Sequence, residues 1–180
     1  MIEEERMNTK LHVYTGDGKG KTTAAVGMLI RSAGHQFPGF LAQFLKDSRS
    51  GELIILKQMG VTVFPMPQNN GFYKQLDKSQ QCDYLIEIEK AIDRIKSFVI
   101  HNKPRLIVYD ELCMAIHYGI VKEIKAKELI NLSLKYGETI VTGRYAPSWL
   151  EEMADYFTEM NSKKHPYTDE HLSAREGIEW

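Results

Sequence analysis

Short apolar runs alternate along the chain with longer stretches in which apolar residues recur every three or four positions. Residues 10–15, KLHVYT, predict a strand that runs into a glycine-rich turn. Residues 21–34, KTTAAVGMLIRSAG, predict a helix with one small, apolar face and Gly34 as its stop. A second strand is expected over 37–45, FPGFLAQFL, with Pro38 at its start or edge because proline cannot donate to a ladder. A short helix over 50–60 ends at Gly60, and a third strand, VTVFPM, is stopped by two prolines. Residues 68–79, QNNGFYKQLDKS, carry turn formers without a period and read as a loop.

The strongest helix is expected over 82–103, where Leu85, Ile88, Ile92, Ile95 and Val99 make one continuous stripe. A strand follows in PRLIVYDEL, whose apolar run suits a strand buried on both faces. A helix over 125–137 closed by Gly137, a strand over 138–143, a short helix over 147–154 and a last strand over 155–160 complete the pattern. The tail over 161–180 is polar and irregular. Alternating strands and helices predict an α/β fold, a mainly parallel sheet flanked by helices, in which ligands bind at the carboxyl ends of the strands. The domain plan is a short extension over 1–10 and a single domain over 11–180.

The chain has 180 residues and a net charge of −1, which argues against a general nucleic-acid binder. Two cysteines, Cys82 and Cys113, fit a reducing compartment better than a disulfide scaffold, and both are expected to be plain buried or half-buried residues. The acidic start does not read as a targeting signal, and no apolar run approaches the roughly 20 residues of a membrane span. A cytoplasmic protein that acts on neither membranes nor nucleic acids is the expectation.

The chemistry concentrates after the predicted strands. In TGDGKGKTT, Gly16, Gly18 and Gly20 let the backbone turn its N–H groups toward phosphate oxygens. Lys21 can reach a phosphate chain, Thr22 can ligate Mg²⁺ and Lys19 adds positive charge. A P-loop of the usual G-x-x-x-x-G-K-[ST] form would start with glycine where this chain has Thr15. The apolar strand ending in Asp110-Glu111 has the form of a segment that holds the metal. Arg144, after the next strand, stands where a guanidinium could reach phosphates. On residues alone these remain open to plainer readings: a flexible turn, a solvated strand end and a surface arginine. His165, in KKHPY, and His117 read as structural rather than metal-ligating.

Together the motifs resemble the P-loop ATP:corrinoid (cob(I)alamin) adenosyltransferases. The family's loop is typically TGNGKGKTTAA, here TGDGKGKTTAA. The strand after its long helix typically ends LDEL, here YDEL. A later strand ends TGR followed by AP, as here, and its tail is similar to EMNSKKHPYTDEHLSAREGIEW. The resemblance runs from Lys10 to Trp180. It makes Thr15 an expected residue, since that family commonly has threonine there. It implies a RecA-like P-loop NTP-binding fold, a homodimer and a reduced flavoprotein as electron donor. The implied reaction is attack by Co(I) of a cobalamin or cobinamide on the 5′ carbon of ATP, releasing triphosphate. The implied ATP site is Thr15, Gly16, Asp17, Gly18, Lys19, Gly20, Lys21, Thr22, Thr23 and Arg144. Thr22, Asp110 and Glu111 would serve Mg²⁺ or Mn²⁺. No side-chain nucleophile is implied, because cobalt attacks, and Lys21 and Thr22 stabilise the leaving group.

Three departures stand out. Family members often carry GFTW in the loop after the third strand, an aromatic pair that in the family walls the lower corrinoid face and helps drive off the axial base. Here GFYK keeps Phe72 but has Lys74 at the tryptophan position, with Tyr73 between them. Asp17 replaces a common asparagine and adds negative charge beside the phosphates. The segment before the first strand is short, where longer members use an N-terminal helix as a lid. Rival readings are a P-loop kinase or NTPase attacking the γ-phosphate, and a non-catalytic nucleotide- or corrinoid-binding module.

Overall fold

A computed structural model describes residues 8–46, 50–68, 73–167 (Lys74 by its backbone alone) and 171–178. Its strands are β1 (Leu11–Thr15), β2 (Gly39–Gln43), β3 (Thr62–Phe64), β4 (Leu106–Asp110), β5 (Glu138–Thr142) and β6 (Tyr156–Glu159). They form one sheet in the order β3-β2-β4-β5-β1-β6, and every pairing is parallel. The helices are α1 (Lys21–Gly34), α2 (Glu52–Gln58), α3 (Lys78–Asn102), α4 (Leu112–His117), α5 (Glu123–Ser133) and α6 (Ser148–Met153). No helix among the described residues is long and apolar enough to cross a membrane.

The sheet is covered on both faces, so its central strands carry consecutive apolar residues, such as Leu106–Tyr109, rather than alternate ones. On one face Leu41, Leu106, Val108 and Ile140 meet Ala25 and Leu29 of α1 and Leu53 and Leu56 of α2. On the other, Phe40, Ala42, Ile107, Tyr109 and Val141 meet α3, α4, α5 and α6. Ile88, Ile92, Ile95 and Val99 of the α3 stripe are buried, each adding about 1.5–3 kcal/mol. Leu85 is half-buried, while Tyr84 and Ala91 widen the stripe.

Several local expectations change. Helix α3 begins at Lys78, four residues earlier than its apolar stripe suggests. Asp77 Oδ1 accepts from Gln80 N at 2.9 Å and Gln80 Oε1 accepts from Asp77 N at 3.1 Å, a reciprocal cap written in the sequence as Asp-x-x-Gln. Gly34 does not stop α1 by turning left-handed; Gln36 takes that conformation, with φ 59°. Gly137 is required by crowding, since a Cβ there would lie 2.2 Å from the Pro104 carbonyl oxygen. Cys82 is exposed rather than buried, because it falls off the α3 stripe; Cys113 is buried as expected. Helix α4 had no counterpart among the predicted elements.

Candidate nucleotide and metal site

Period two along the strands decides which side chains meet at the carboxyl edge. On the α1 face, the last residues of three neighbouring strands are Gln43, Asp110 and Thr142. Gln43 pairs directly with Asp110 in the β2–β4 register, and β5 lies on the other side of β4. All three are buried. Asp110 is fully enclosed, yet both carboxylate oxygens are satisfied. Thr142 Oγ1 donates to Oδ1 at 2.6 Å and Thr22 Oγ1 donates to the same oxygen at 2.9 Å. Gln43 Nε2 donates to Oδ2 at 3.1 Å and Lys46 Nζ donates to it at 2.7 Å. Lys46 Nζ also donates to Thr22 Oγ1 at 2.8 Å. A buried carboxylate survives only with such partners, since an unpaired one costs several kcal/mol.

The glycine loop joins β1 to α1 and is held from outside. Gly18 N–H donates to the Met160 carbonyl at 2.7 Å, and Met160 N–H donates to Thr15 O at 2.9 Å. A Cβ at Gly16 or Gly18 would lie 2.4 or 2.7 Å from the Met160 oxygen, and Gly16 has φ 94°. Two of the glycines therefore make room for the segment after β6 as well as turning the chain. Thr15 is buried, and its Oγ1 accepts from Ala146 N at 3.3 Å. Asp17 Oδ1 accepts from Ser162 N at 3.1 Å, so this carboxylate ties the loop to the tail. Gly20, with φ 115°, precedes α1, whose first-turn N–H groups have no intrahelical partners and suit an anion.

Lys21 is buried and donates to the Gly18 carbonyl at 2.7 Å, folding back over its own loop. Burial pushes its ammonium down from the ordinary lysine value, against the opposing pull of Glu111. Arg144 is exposed but close enough for its charge to act on both Lys21 and Glu111. Glu111 follows β4 with φ 60°, and its N–H donates to Thr142 Oγ1 at 3.0 Å. Burial first, then Asp110, raises its carboxyl above the ordinary range.

Thr22 and Asp110 thus come together, and a cation already sits on both. That stand-in ammonium shows that the pair presents oxygen to positive charge. Hard oxygen donors in this number suit Mg²⁺ completed by phosphate oxygens and water. Among the described residues no group of three His, Cys, Asp or Glu could cage a metal alone. Gln43, Lys46 and Thr142 were missed by the sequence reading. Their only local sign was a polar residue ending an apolar run.

Of the proposed corrinoid residues, the structure describes Tyr73 and the Lys74 backbone. Tyr73 opens a single 3-10 turn, Tyr73–Gln75, and packs half-buried with its ring 5.9 Å from that of Tyr84. Phe72 and the Lys74 side chain lie outside the described residues. His165 Nδ1 accepts from Tyr167 N at 3.2 Å, a local turn contact.

The family model for ATP:corrinoid adenosyltransferase BtuR/CobO/CobP matches residues 8–180. The chain belongs to the ATP:corrinoid adenosyltransferase family. As a member, it is an enzyme that transfers the adenosyl group of ATP to a corrinoid, in adenosylcobalamin biosynthesis or salvage. It is 29% identical over 172 residues to the corrinoid adenosyltransferase of Sinorhizobium sp, covering 93% of this chain and 78% of the relative. The Pseudomonas aeruginosa corrinoid adenosyltransferase is 29% identical over 171 residues, covering 94% and 83%. That of Escherichia coli K12 is 27% identical over 169 residues, covering 93% and 84%. Among solved structures, a KaiC-like protein from Pyrococcus horikoshii OT3 superposes with a TM-score of 0.52 at 18% identity. It covers 87% of this chain and 74% of that one, a likeness of fold alone.

Proposed function

We propose that Co(I) of a cobalamin or cobinamide attacks the 5′ carbon of ATP bound at the 15–23 loop, and that triphosphate leaves. The observation that carries this reading is the concentration of cationic and N–H donors around Thr22 and Asp110. They suit an anionic leaving group. Cys113, the thiol beneath the site, is buried and pushed up to about 12, unsuited to attack. Cobalt supplies both electrons of the new Co–C bond and becomes Co(III). The C5′–O5′ bond breaks, and its electron pair stays with the triphosphate oxygen.

The protein's share is to hold and neutralise. Backbone N–H groups of the 15–23 loop bind the phosphates, except that of Gly18, which the Met160 carbonyl holds, and Lys21 exchanges the Gly18 carbonyl for a phosphate oxygen. Arg144 adds charge from the β5 end. Thr22, Asp110 and Glu111 hold Mg²⁺ or Mn²⁺, which when bound neutralises the leaving triphosphate as a Lewis acid. Phe72, Tyr73 and Lys74 face the corrinoid. Holding cobalt in line with the 5′ carbon is the protein's remaining task.

The RecA-like assignment is supported by β5 lying between β1, which carries the loop, and β4, which carries Asp110. The single domain over 11–180, the homodimer, the flavoprotein donor and the cytoplasmic location rest on the family resemblance and the composition. ATP and chemically reduced cobalamin should yield a light-sensitive alkylcobalamin spectrum with one triphosphate per turnover. ADP, or diphosphate with monophosphate, would overturn the assignment.

A further inference from the structure

Lys46 lies three residues beyond β2 and belongs to none of the motifs read from the sequence. Its ammonium stands 2.8 Å from Thr22 Oγ1 and 2.7 Å from Asp110 Oδ2. Thr22 gives its own proton to Asp110 Oδ1, so its oxygen offers lone pairs to Lys46. A divalent ion bound by that hydroxyl beside Asp110 needs the same lone pairs and the same space. Mg²⁺ takes oxygen at about 2.0–2.1 Å, which leaves no place for an ammonium on the same two atoms.

We propose that Lys46 is a built-in occupant of the metal position, which holds the site in the nucleotide-free protein and yields when a divalent ion arrives with a triphosphate. The proposal rests on the metal assignment above. Asp110 is fully enclosed and cannot follow the ion outward; the Lys46 side chain is 27% exposed and can. A free divalent ion would have to expel Lys46 and would gain few protein ligands in return. A metal–ATP complex brings its own phosphate oxygens, and these accept the displaced ammonium as well. Metal and nucleotide therefore enter together, and Lys46 resists loading by metal alone.

The test is Mn²⁺ binding, read by loss of the free-ion electron paramagnetic resonance signal, with no corrinoid present. Thermal melts confirm that each variant is folded. Lys46→Met should bind Mn²⁺ alone about tenfold more tightly than the parent. Lys46→Gln, which keeps a neutral donor to Asp110, should do the same. Lys46→Arg, which keeps the competing charge, should stay near the parent. The metal-free Lys46→Met protein should melt lower, and Mn²⁺ should recover the difference. Unchanged or weaker Mn²⁺ binding in both neutral variants would overturn the proposal while leaving the metal site intact. If Mn²⁺ binds none of these proteins even with ATP, the metal assignment fails and this proposal with it.

Discussion

The α1 side of the sheet's carboxyl edge and the segment leading into α3 are assigned to two halves of one reaction, and they are built differently. On the α1 side, Asp110 is fully buried with donors from four side chains, and the glycine loop is tied to Met160 and Ser162. Before α3, a single 3-10 turn leans on Tyr84, and Phe72 immediately precedes that turn in the sequence. A triphosphate has fixed charge and shape, so a preformed cradle can match it. A corrinoid offers a broad face, which loop-borne aromatic side chains can meet. The contrast predicts sharp losses from small changes on the first side and graded, substrate-dependent losses on the second.

The largest effect should come from Lys21→Ala. With the leaving-group cation gone, adenosyl transfer should fall by about 10²–10³-fold while the thermal melt stays close to the parent. Retention of a tenth of the activity would remove Lys21 from the leaving-group role. Gly16→Ala should come next, because its Cβ would strike the Met160 carbonyl at 2.4 Å in a left-handed backbone. A loss of about 1–3 kcal/mol in stability, with weaker ATP binding by calorimetry, is the expectation. Undiminished ATP affinity would show that the tie to Met160 does not shape the cradle.

On the corrinoid side, Phe72→Ala should lower kcat/KM for cobalamin about tenfold while sparing base-free cobinamide. Equal losses on both would remove the base-displacing role and leave only general contact. The smallest effect belongs to Glu111→Gln. Burial and Asp110 raise the Glu111 carboxyl above its ordinary value of 4.5, so the folded protein holds that proton to higher pH than the unfolded chain. The benefit is fully present below that ordinary value and is lost as pH rises through the raised folded value. The Gln variant should therefore match the parent in acid and exceed it at neutral pH by less than about 1 kcal/mol. Denaturant melts at several pH values, run without metal or nucleotide, read this; a constant difference across pH would exclude the cause given.

Much of the fold was legible because its signals are local. The β1 run, the glycine turn and the α1 pattern appear in order, and the α3 stripe follows one helical period. Helix α4 escaped because six residues after a left-handed Glu111 carry too little periodicity. The α3 start was legible in Asp77-x-x-Gln80 and was overlooked because the apolar stripe starts later. Lys21, Thr22 and Asp110 could be picked out from their motifs. Gln43, Lys46 and Thr142 could not, since their meeting depends on the register of three strands distant in sequence. Gly137 looked like a helix stop for the same reason: its crowding against Pro104 exists only once β4 and β5 are paired.

The strap from Met160 and Ser162 onto the loop has a consequence for how the chain is made. The loop leaves the ribosome before its outer support, which lies up to 145 residues later in the sequence. Strand β1 waits as well, because its two sheet neighbours, β5 and β6, follow all the other strands among the described residues. Pairings so distant are slow to close. A nascent chain halted before Met160 should retain no ATP on a filter, the outcome expected if nucleotide rewards only chains in which this strap has formed.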